Sequence, residues 1–377
     1  MPQVKLAAKI ARRLEDRILA EGWSVGHQIG RESEIASEMG VSRWTFREAV
    51  RILEASGFVA TRKGAGGGLF VASSAHDFIC KLLGNYFEFL QVAADEFSDV
   101  LYALSRFALL QALEGVSEDE RRMIRERLAG FEGAPLAAGL SNAGDLYQSL
   151  IHRSGNPALA LFLGVLIRLT SDASIYSSLD DKTWIAALHS AVDAICQMAA
   201  AVAAQDLAGV DAASRRYVLI CRQLVDASLL HQRKSIPLDV TQRAYDVFPP
   251  SRPMKKADRV EREIRQMIFD HGCKIGSNLG SEVELAQRFG VGRSVLREAL
   301  RSLEQLGVIE MGVGSSSGLR IVSPDPTAIV QPARRHLRRE GVDDHHRRQV
   351  RDLLENLRAK EGPPPHIRSL FQQILAT

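Results

Sequence analysis

Apolar side chains recur at helical spacing through most of the chain, and one such pattern occurs twice. The segments "ESEIASEMGVSRWTFREAVRILEASGFV" and "EVELAQRFGVGRSVLREALRSLEQLGVI" lie 250 residues apart, and residues 1–75 align with 251–325 without a gap. The matched apolar positions predict one small helical core used twice. They are the pairs Ile18/Ile268, Ile29/Leu279, Ile35/Leu285, Val41/Val291, Val50/Leu300 and Leu53/Leu303.

Glycines and helix-capping residues mark the ends of the same helices in each copy. Gly40 and Gly290 each follow a short helix and suit the left-handed position that ends it. Ser42 is a good N-cap for the next helix, and Gly292 is a tolerated substitute there. A glycine-rich turn between two short apolar stretches then predicts a β-hairpin. Three helices followed by a hairpin form a winged helix-turn-helix, with Gly64 and Gly314 near the hairpin tips.

The chain between the two copies has helical periodicity and few strand signals, as in "FSDVLYALSRFALLQALEG". We therefore predict a mainly α protein in which two winged helix-turn-helix domains, each of three helices plus a β-hairpin, flank an all-α helical bundle. The predicted segments are 1–75 and 255–325 for the winged domains, 76–235 for the bundle, 236–254 for a linker and 326–377 for a tail.

Paired arginines carry the candidate chemistry. In a helix-turn-helix the second helix enters the major groove of DNA, where arginine can grip a guanine or a phosphate with two hydrogen bonds. Arg43 and Arg47 lie four residues apart, as do Arg293 and Arg297, so each pair projects from one helix face. We predict DNA contacts from Arg43, Trp44, Thr45, Arg47, Lys63, Gly64, Arg293, Ser294, Arg297 and Gly314. Arg51 either contacts the DNA backbone or forms an ion pair with Glu48. The same two roles are open to Arg301, with Glu298 as its ion-pair partner.

Charge and composition narrow the class of protein. The chain is 46% hydrophobic and 25% charged, which is typical of a globular protein, and its four cysteines show no metal or disulfide spacing. Residues 76–235 carry 14 basic and 19 acidic side chains, whereas 1–75 carry 11 and 8 and 326–377 carry 10 and 6. Basic ends around an acidic centre favour a polyanionic partner at the ends. The longest apolar run, 158–167, is too short to span a bilayer, so we expect a cytoplasmic protein.

The repeated segments resemble the DNA-binding domain of the GntR family of bacterial transcription regulators. That domain typically reads "ERELAxxLGVSRTxVREALRxLExxGLV" followed by "GxGxFV". Both copies depart from it, since Ser33 and Val283 occupy the place of an arginine that contacts DNA in many members. Lys63 in the first wing is replaced by Val313 in the second. The resemblance therefore implies that the second copy binds DNA more weakly.

The stretch "LYQSLIHRSGNPALALFL" resembles the FadR-type effector domain of the same family, called FCD. Many such domains bind a divalent metal through one Asp and three His. The corresponding positions in this chain are Ala143, Tyr147, Ile195 and Tyr217, so the resemblance implies no metal and no cofactor. A displaced site built from Asp145, His152 and His189 is less common than core or surface roles for such residues.

The expected effector pocket contains Tyr147, His189, Tyr217 and Arg106. The two tyrosines either bind a small organic-acid or acyl-type effector or simply fill the former metal cavity.

The tail resembles the start of a second effector domain, through "QVRDLLENLRA". It is too short to form a bundle alone, so it docks on the middle domain, docks on a partner chain, or stays partly disordered. The histidine-rich stretch "RRHLRREGVDDHHRRQ" is interpreted as a solvated linker.

The predicted function is transcription regulation in the bacterial cytoplasm, in association with the nucleoid. A metabolite-responsive repressor would bind operator half-sites in double-stranded DNA, as a homodimer or as a pseudo-symmetric monomer. The alternative is a sequence-tolerant protein that bridges DNA duplexes and has a degenerate effector domain. An enzyme is not expected, because the sequence contains no paired nucleophile and base and no phosphate-binding loop.

Overall fold

A computed structural model describes residues 2–376 except 56–57, 63, 65, 73–74, 171–180, 232–255, 271, 273, 306, 312–317, 324–325 and 358–365. The described chain is mainly helical with small antiparallel sheets, which confirms the predicted fold class. It divides into two compact units: Met1–Phe89 with Met254–Glu340, and Leu90–Pro253 with Gly341–Thr377. The predicted linker, 236–254, falls almost wholly outside the described residues.

The helices and strands follow one another along the chain in a fixed order. They are α1 (Pro2–Glu21), β1 (Gln28–Gly30), α2 (Glu32–Glu38), α3 (Arg43–Ala55), β2 (Val59–Arg62), β3 (Gly68–Val71), α4 (Ala75–Phe89), α5 (Ala94–Gly115), α6 (Glu118–Ala129), α7 (Leu136–His152), α8 (Pro157–Leu169), α9 (Asp181–Ala204), α10 (Leu207–His231), α11 (Lys256–Asp270), α12 (Glu282–Arg288), α13 (Arg293–Gln305), β4 (Ile309–Met311), β5 (Leu319–Ile321), α14 (Pro326–Arg339), α15 (Asp344–Glu355) and α16 (His366–Leu375).

The first unit holds both copies of the repeated pattern, and each has three helices followed by a hairpin. In the first copy, β2 and β3 pair antiparallel from Val59↔Val71 to Arg62↔Gly68. The sequence did not indicate β1, which adds a third strand to this sheet in the order β1-β3-β2. Three residues are too few to show strand periodicity, so only the pairing with β3 reveals β1.

Each small core forms where the shared apolar positions meet. Ile18, Leu53, Ile268 and Leu303 are all buried, as the repeat predicted. Gly40 and Gly290 have φ values of +67° and +60°, the left-handed conformation that lets α2 and α12 end sharply before the next helix. Helices α3 and α13, which correspond to the DNA-reading helix of a helix-turn-helix and are called the recognition helices below, therefore rest on the same kind of scaffold.

Helices α4 and α14 belong to the first unit, although the sequence assigned residues 76–89 to the bundle and 326–340 to the tail. Phe78 of α4 stacks on Phe58 beside the first wing, with ring centroids 4.3 Å apart. This aromatic contact ties α4 to the winged domain and moves the boundary to Phe89.

The second unit is built from helices α5–α10 together with α15 and α16. Helix α9 is its apolar centre: residues 185–204 have a mean hydropathy of 1.5 and by length and composition could cross a membrane. Leu188, Met198 and Val202 are nevertheless buried, and α9 packs along α10. These contacts describe the core helix of a bundle.

The tail packs as two helices within the second unit. Phe371 of α16 stacks on Phe162 of α8, with centroids 3.9 Å apart and the rings within 6° of parallel. Of the three arrangements left open by the sequence, the structure shows docking on the helical domain. The histidine-rich stretch is not simply a solvated linker, because His336 lies buried in α14 with only 4% of its surface exposed.

Candidate nucleic-acid interface

The start of α3 is fixed by a side-chain cap. The Thr45 backbone N–H donates a hydrogen bond of 3.1 Å to Ser42 Oγ, and the two hydroxyl oxygens lie 2.9 Å apart. Ser42 thus caps the helix, as its sequence position predicted. Thr45 is only 5% exposed, so its hydroxyl faces the cap and not the surface. This burial does not fit the expectation that Thr45 contacts DNA: with 3.6 residues per turn, Thr45 and Phe46 lie on the buried face of α3, whereas Trp44 lies on its exposed face.

The other residues predicted at the start of α3 face outward. Arg43 and Arg47 are exposed, and Trp44 has 54% of its surface accessible. Arg47 Nε lies 3.0 Å from Glu32 Oε2 at the first turn of α2, so this ion pair holds the Arg47 guanidinium in position. Because this pair is exposed, it contributes little stability and can be exchanged for other contacts.

The second copy repeats this arrangement. Arg293, Ser294 and Arg297 are exposed at the start of α13. Arg297 Nε lies 2.8 Å from Glu282 Oε1, and Arg297 Nη2 donates a second bond of 3.2 Å to Glu282 Oε2. The two recognition helices therefore present arginines in matching positions, each held by the same kind of partner.

Arg51 forms an ion pair with Glu48 one turn away on α3. This is one of the two roles that the sequence left open for Arg51. The side chain of Arg301, its counterpart, lies outside the described residues.

The first wing is a tight turn with one arginine that was not predicted as a site residue. Gly64 is exposed with φ of +105°, and a Cβ at Gly67 would lie 2.5 Å from the Arg62 carbonyl oxygen, so the turn closes only around glycine. Arg62 is exposed at the end of β2 and its guanidinium lies 4.3 Å from the centroid of the Phe70 ring. The dipeptide Arg62-Lys63 was the available sequence signal. Lys63, Gly314 and Val313 lie outside the described residues.

The two recognition helices contact each other within the first unit, with Cα atoms closer than 8 Å. Each helix has 13 residues and is about 20 Å long. Their first turns can therefore be separated by at most about 45 Å, well below the ~68 Å that spans two turns of B-DNA.

The residues of the expected effector pocket do not form one pocket. Tyr147 and Tyr217 are buried with ring centroids 5.3 Å apart, and Tyr147 Oη donates a 2.7 Å hydrogen bond to Ser105 Oγ. Burial raises the pKa of Tyr147 well above its usual value, which keeps the phenol neutral. The tyrosines fill the interior at the positions where the resemblance places metal ligands.

Arg106 and His189 differ from the tyrosine pair in their exposure. Arg106 is exposed and its Nε lies 2.8 Å from Asp211 Oδ1, in a surface cluster that also contains Tyr102 and Arg215. Arg106 lies on α5, and its guanidinium forms an ion pair with Asp211 at the surface. His189 is exposed on α9. Both residues are therefore at the surface, whereas the tyrosines with which the sequence grouped them are buried.

His189 instead lines a cleft of about 480 Å³ between α6, α7 and α9. Glu132, Asp193, Cys196 and the ring of Phe131 also line it. This volume is in the range of small-molecule sites. Across the described ranges, no group of three or more His, Cys, Asp or Glu side chains is arranged to hold a metal ion.

Residues 6–69 and 256–318 match the sequence model of the family described as "Bacterial regulatory proteins, gntR family". These are the two segments that carry the winged helix-turn-helix elements.

Several curated proteins are similar to part of this chain. An uncharacterised HTH-type transcriptional regulator of Mycobacterium tuberculosis is 38% identical over 87 residues, which cover 23% of this chain and 34% of that protein. The HTH-type transcriptional repressor NanR of an Enterobacter species is 38% identical over 71 residues, which cover 19% of this chain and 27% of NanR. The matches thus span about a third or less of these relatives.

Among solved structures, Streptococcus agalactiae GntR aligns with a TM-score of 0.37 at 22% identity, over 58% of this chain and 99% of that one. E. coli McbR/YncC aligns with a TM-score of 0.29 at 17% identity, over 61% of this chain and 99% of that one.

Proposed function

The chain belongs to the GntR family of bacterial regulatory proteins through residues 6–69 and 256–318, and on that premise we propose that it regulates transcription by binding double-stranded DNA with both winged domains. The observation that carries this proposal is the matched pair of exposed arginine surfaces on α3 and α13. Relatives that are similar to part of this chain are named as transcription regulators, which favours this role over an enzymatic one.

Arg43 and Arg293 supply exposed cations at the first turn of each recognition helix, and Arg47 and Arg297 supply guanidiniums aimed by Glu32 and Glu282. A guanidinium can bind guanine O6 and N7 in the major groove or grip a phosphate. Trp44 and Ser294 occupy matching exposed positions and differ in chemistry. The two copies therefore prefer unlike half-sites within one operator.

The first copy contributes more of the affinity. A side chain caps α3, whereas α13 begins after Gly292, which has no side chain to offer. The first wing also carries Arg62 and Lys63, and the sequence of the second has Gly312 and Val313 at those positions. Each phosphate contact that one copy lacks lowers the salt dependence of binding by about one unit.

The proposed regulation is repression that responds to a metabolite, and NanR is a relative whose name states repression. The candidate effector site is the cleft lined by His189, Glu132 and Asp193. Two carboxylates at this cleft repel an anionic ligand, so a cationic or neutral polar metabolite fits it better than the organic acid that the sequence suggested. The protein acts in the cytoplasm at the nucleoid.

A second candidate function is DNA bridging without a metabolite signal. The closed interior around Tyr147 and Tyr217 favours it, because the position expected for an effector is filled by side chains. A rise in melting temperature with a small molecule, abolished by His189→Ala, would support sensing. Footprints without sequence preference would support bridging.

The DNA-binding proposal is tested with arginine pairs. Arg43→Ala with Arg47→Ala should abolish specific binding to a selected operator, and Arg293→Ala with Arg297→Ala should weaken it less. The control is Arg122→Ala with Arg125→Ala on α6, which removes the same charge from exposed, ion-paired positions in the second unit. Affinity measured by fluorescence anisotropy should be unchanged in the control. An equal loss in all three variants would show that net charge alone drives binding.

A further inference from the structure

Helices that are equivalent in the repeat pack against each other. In the first unit α3 contacts α13 and α4 contacts α14; in the second unit α5 contacts α15. α3 and α13 begin 250 residues apart, as do α5 and α15. Contact between equivalent elements is the property of an isologous interface, in which the same surface is used by both partners. Each unit therefore contains, inside one chain, the packing of a two-fold dimer.

The contacts in the first unit are also reciprocal. Asp16 on α1 of the first copy lies 2.6 Å from Arg335 on α14 of the second. In return, Arg265 on α11 of the second copy lies 2.6 Å from Glu88 on α4 of the first. The first helix of each copy thus contacts the last helix of the other.

At equivalent positions of these contacts, the two copies carry opposite charges. Glu15 aligns with Arg265, and Glu88 aligns with Arg338, at the spacing of 250. If two first copies paired, Glu15 would meet Glu88 in place of Arg265. If two second copies paired, Arg265 would meet Arg338 in place of Glu88. Like charges at such close range oppose association, so the pattern favours pairing of unlike copies.

In the second unit, α15 and α16 cover the faces of α5 and α8. Glu96 of α5 accepts hydrogen bonds of 3.0 Å from the backbone N–H groups of His366 and Arg368 at the start of α16. Asn156, which caps α8, donates to the His346 carbonyl oxygen at 3.1 Å and to Gln349 Oε1 at 3.0 Å. Seven apolar residues of the two tail helices are buried, namely Val350, Leu354, Ile367, Leu370, Phe371, Ile374 and Leu375.

We propose that these surfaces make the chain its own partner subunit. Helices α15 and α16 supply the packing that a second chain would place on α5 and α8, and the exchanged charges direct a first copy to pair with a second copy, which this chain already contains. A single chain is then the functional unit, with two DNA-binding heads and no need for a homodimer. The proposal does not depend on which DNA or metabolite is bound.

Sedimentation equilibrium and light scattering of the full chain test this over a wide concentration range. The expected mass is that of one chain, 41.5 kDa, at every concentration, with amides of α15 and α16 protected from hydrogen exchange even when dilute. A mass of two chains, or tail protection that disappears on dilution, overturns the proposal because the tail would then be held by a second chain.

The charge exchange has its own test in the full chain. Glu88→Arg should lower the unfolding midpoint, and Arg265→Glu added to it should restore part of the loss by recreating an opposite pair, although it also removes the ion pair of Arg265 with Glu261. The control is Glu88→Arg with Arg259→Glu, which places the same charge on α11 at an exposed residue paired with Glu263. Equal rescue by both second changes shows that net charge, and not the pairing of α4 with α11, matters, and contradicts the proposal.

Discussion

Trp44 and Thr45 are neighbours at the start of α3 with opposite surroundings. Trp44 is 54% exposed and Thr45 is 5% exposed. The Thr45 hydroxyl bonds to Ser42 in the cap, whereas the indole of Trp44 is open to solvent. Adjacent residues of the same predicted site therefore serve different properties of the protein.

Substitutions of these two side chains should therefore have opposite effects, one on stability and the other on DNA binding. Thr45→Ala should lower the free energy of unfolding by about 1 kcal/mol through loss of a buried hydrogen bond, and leave operator affinity nearly unchanged. Trp44→Ala should leave stability within about 0.5 kcal/mol and weaken operator binding. Urea unfolding and fluorescence anisotropy measure the two effects. If Thr45→Ala alone weakened binding, the buried hydroxyl would need a role in the interface.

Two buried titratable residues of the first unit have pKa values displaced in opposite directions. Desolvation lowers the pKa of His336 to about 4, and the charges of His76 and Arg339 act in the same direction. Desolvation raises the pKa of Glu15 to about 7, partly offset by Arg335. Because the pKa of His336 is lowered in the folded protein, the free energy of unfolding decreases as the pH falls below the usual histidine pKa of 6.5. Because the pKa of Glu15 is raised, the free energy of unfolding decreases as the pH rises through about 7.

The two effects should nearly cancel between about pH 7 and pH 5, because each amounts to about 2 kcal/mol over that interval. Glu15→Gln leaves only the histidine effect, so the free energy of unfolding should fall by about 2 kcal/mol on acidification. His336→Phe leaves only the glutamate effect, so it should rise by a similar amount. Urea unfolding at both pH values measures these slopes. Identical slopes in the two variants would rule out this pair as the source of the pH dependence.

Among the helices, Asn156 connects two elements that are distant in sequence. Its side-chain oxygen accepts hydrogen bonds from the backbone N–H groups of Ala158 and Leu159, which caps α8, and its amide nitrogen binds α15 of the tail. The sequence resemblance pointed to the "GNP" motif, but it did not show the second set of bonds. Nothing local marks a partner about 190 residues away.

Asn156→Ala should therefore cost more than an ordinary cap. Loss of the cap accounts for about 1 kcal/mol, and the unpaired groups left in the tail add about 1 kcal/mol or more. The matched control is Asn142→Ala on α7, whose side chain is exposed and which should change stability by less than about 0.5 kcal/mol. Hydrogen exchange should increase at α15 in the Asn156 variant. Unchanged exchange there would show that the amide does not hold the tail.

Elements with a strong local pattern were predictable, and elements defined by distant pairing were not. Helical spacing, Gly40 and Ser42 were enough to predict α2 and α3, and the glycine-rich turn between two apolar stretches was enough to predict the hairpin. Strand β1 and the docking of α16 depend on contacts made only after folding, such as Phe162 with Phe371. The expected effector pocket could not be judged from the sequence for the same reason. The sequence does not show that Arg106 pairs at the surface with Asp211, which lies 105 residues away.

For the chain as a unit, contact between α3 and α13 limits the spacing of the two DNA contacts. First turns no more than about 45 Å apart can reach half-sites separated by up to about one helical turn of DNA. Inserting about ten base pairs between the half-sites should then reduce affinity to that of a single half-site. Gel-shift titrations with a series of spacers measure this dependence. Equal affinity for the long spacer would require the winged domains to separate.

Selection of duplexes from a random DNA pool by the purified full chain examines both recognition helices at once. We expect one compact site made of two unlike half-sites within about one turn of DNA, with Arg43→Ala/Arg47→Ala erasing one half and Arg293→Ala/Arg297→Ala relaxing the other. Recovery of DNA with no preferred sequence, or of a single half-site that is indifferent to the second arginine pair, would show that the two copies do not read an operator together.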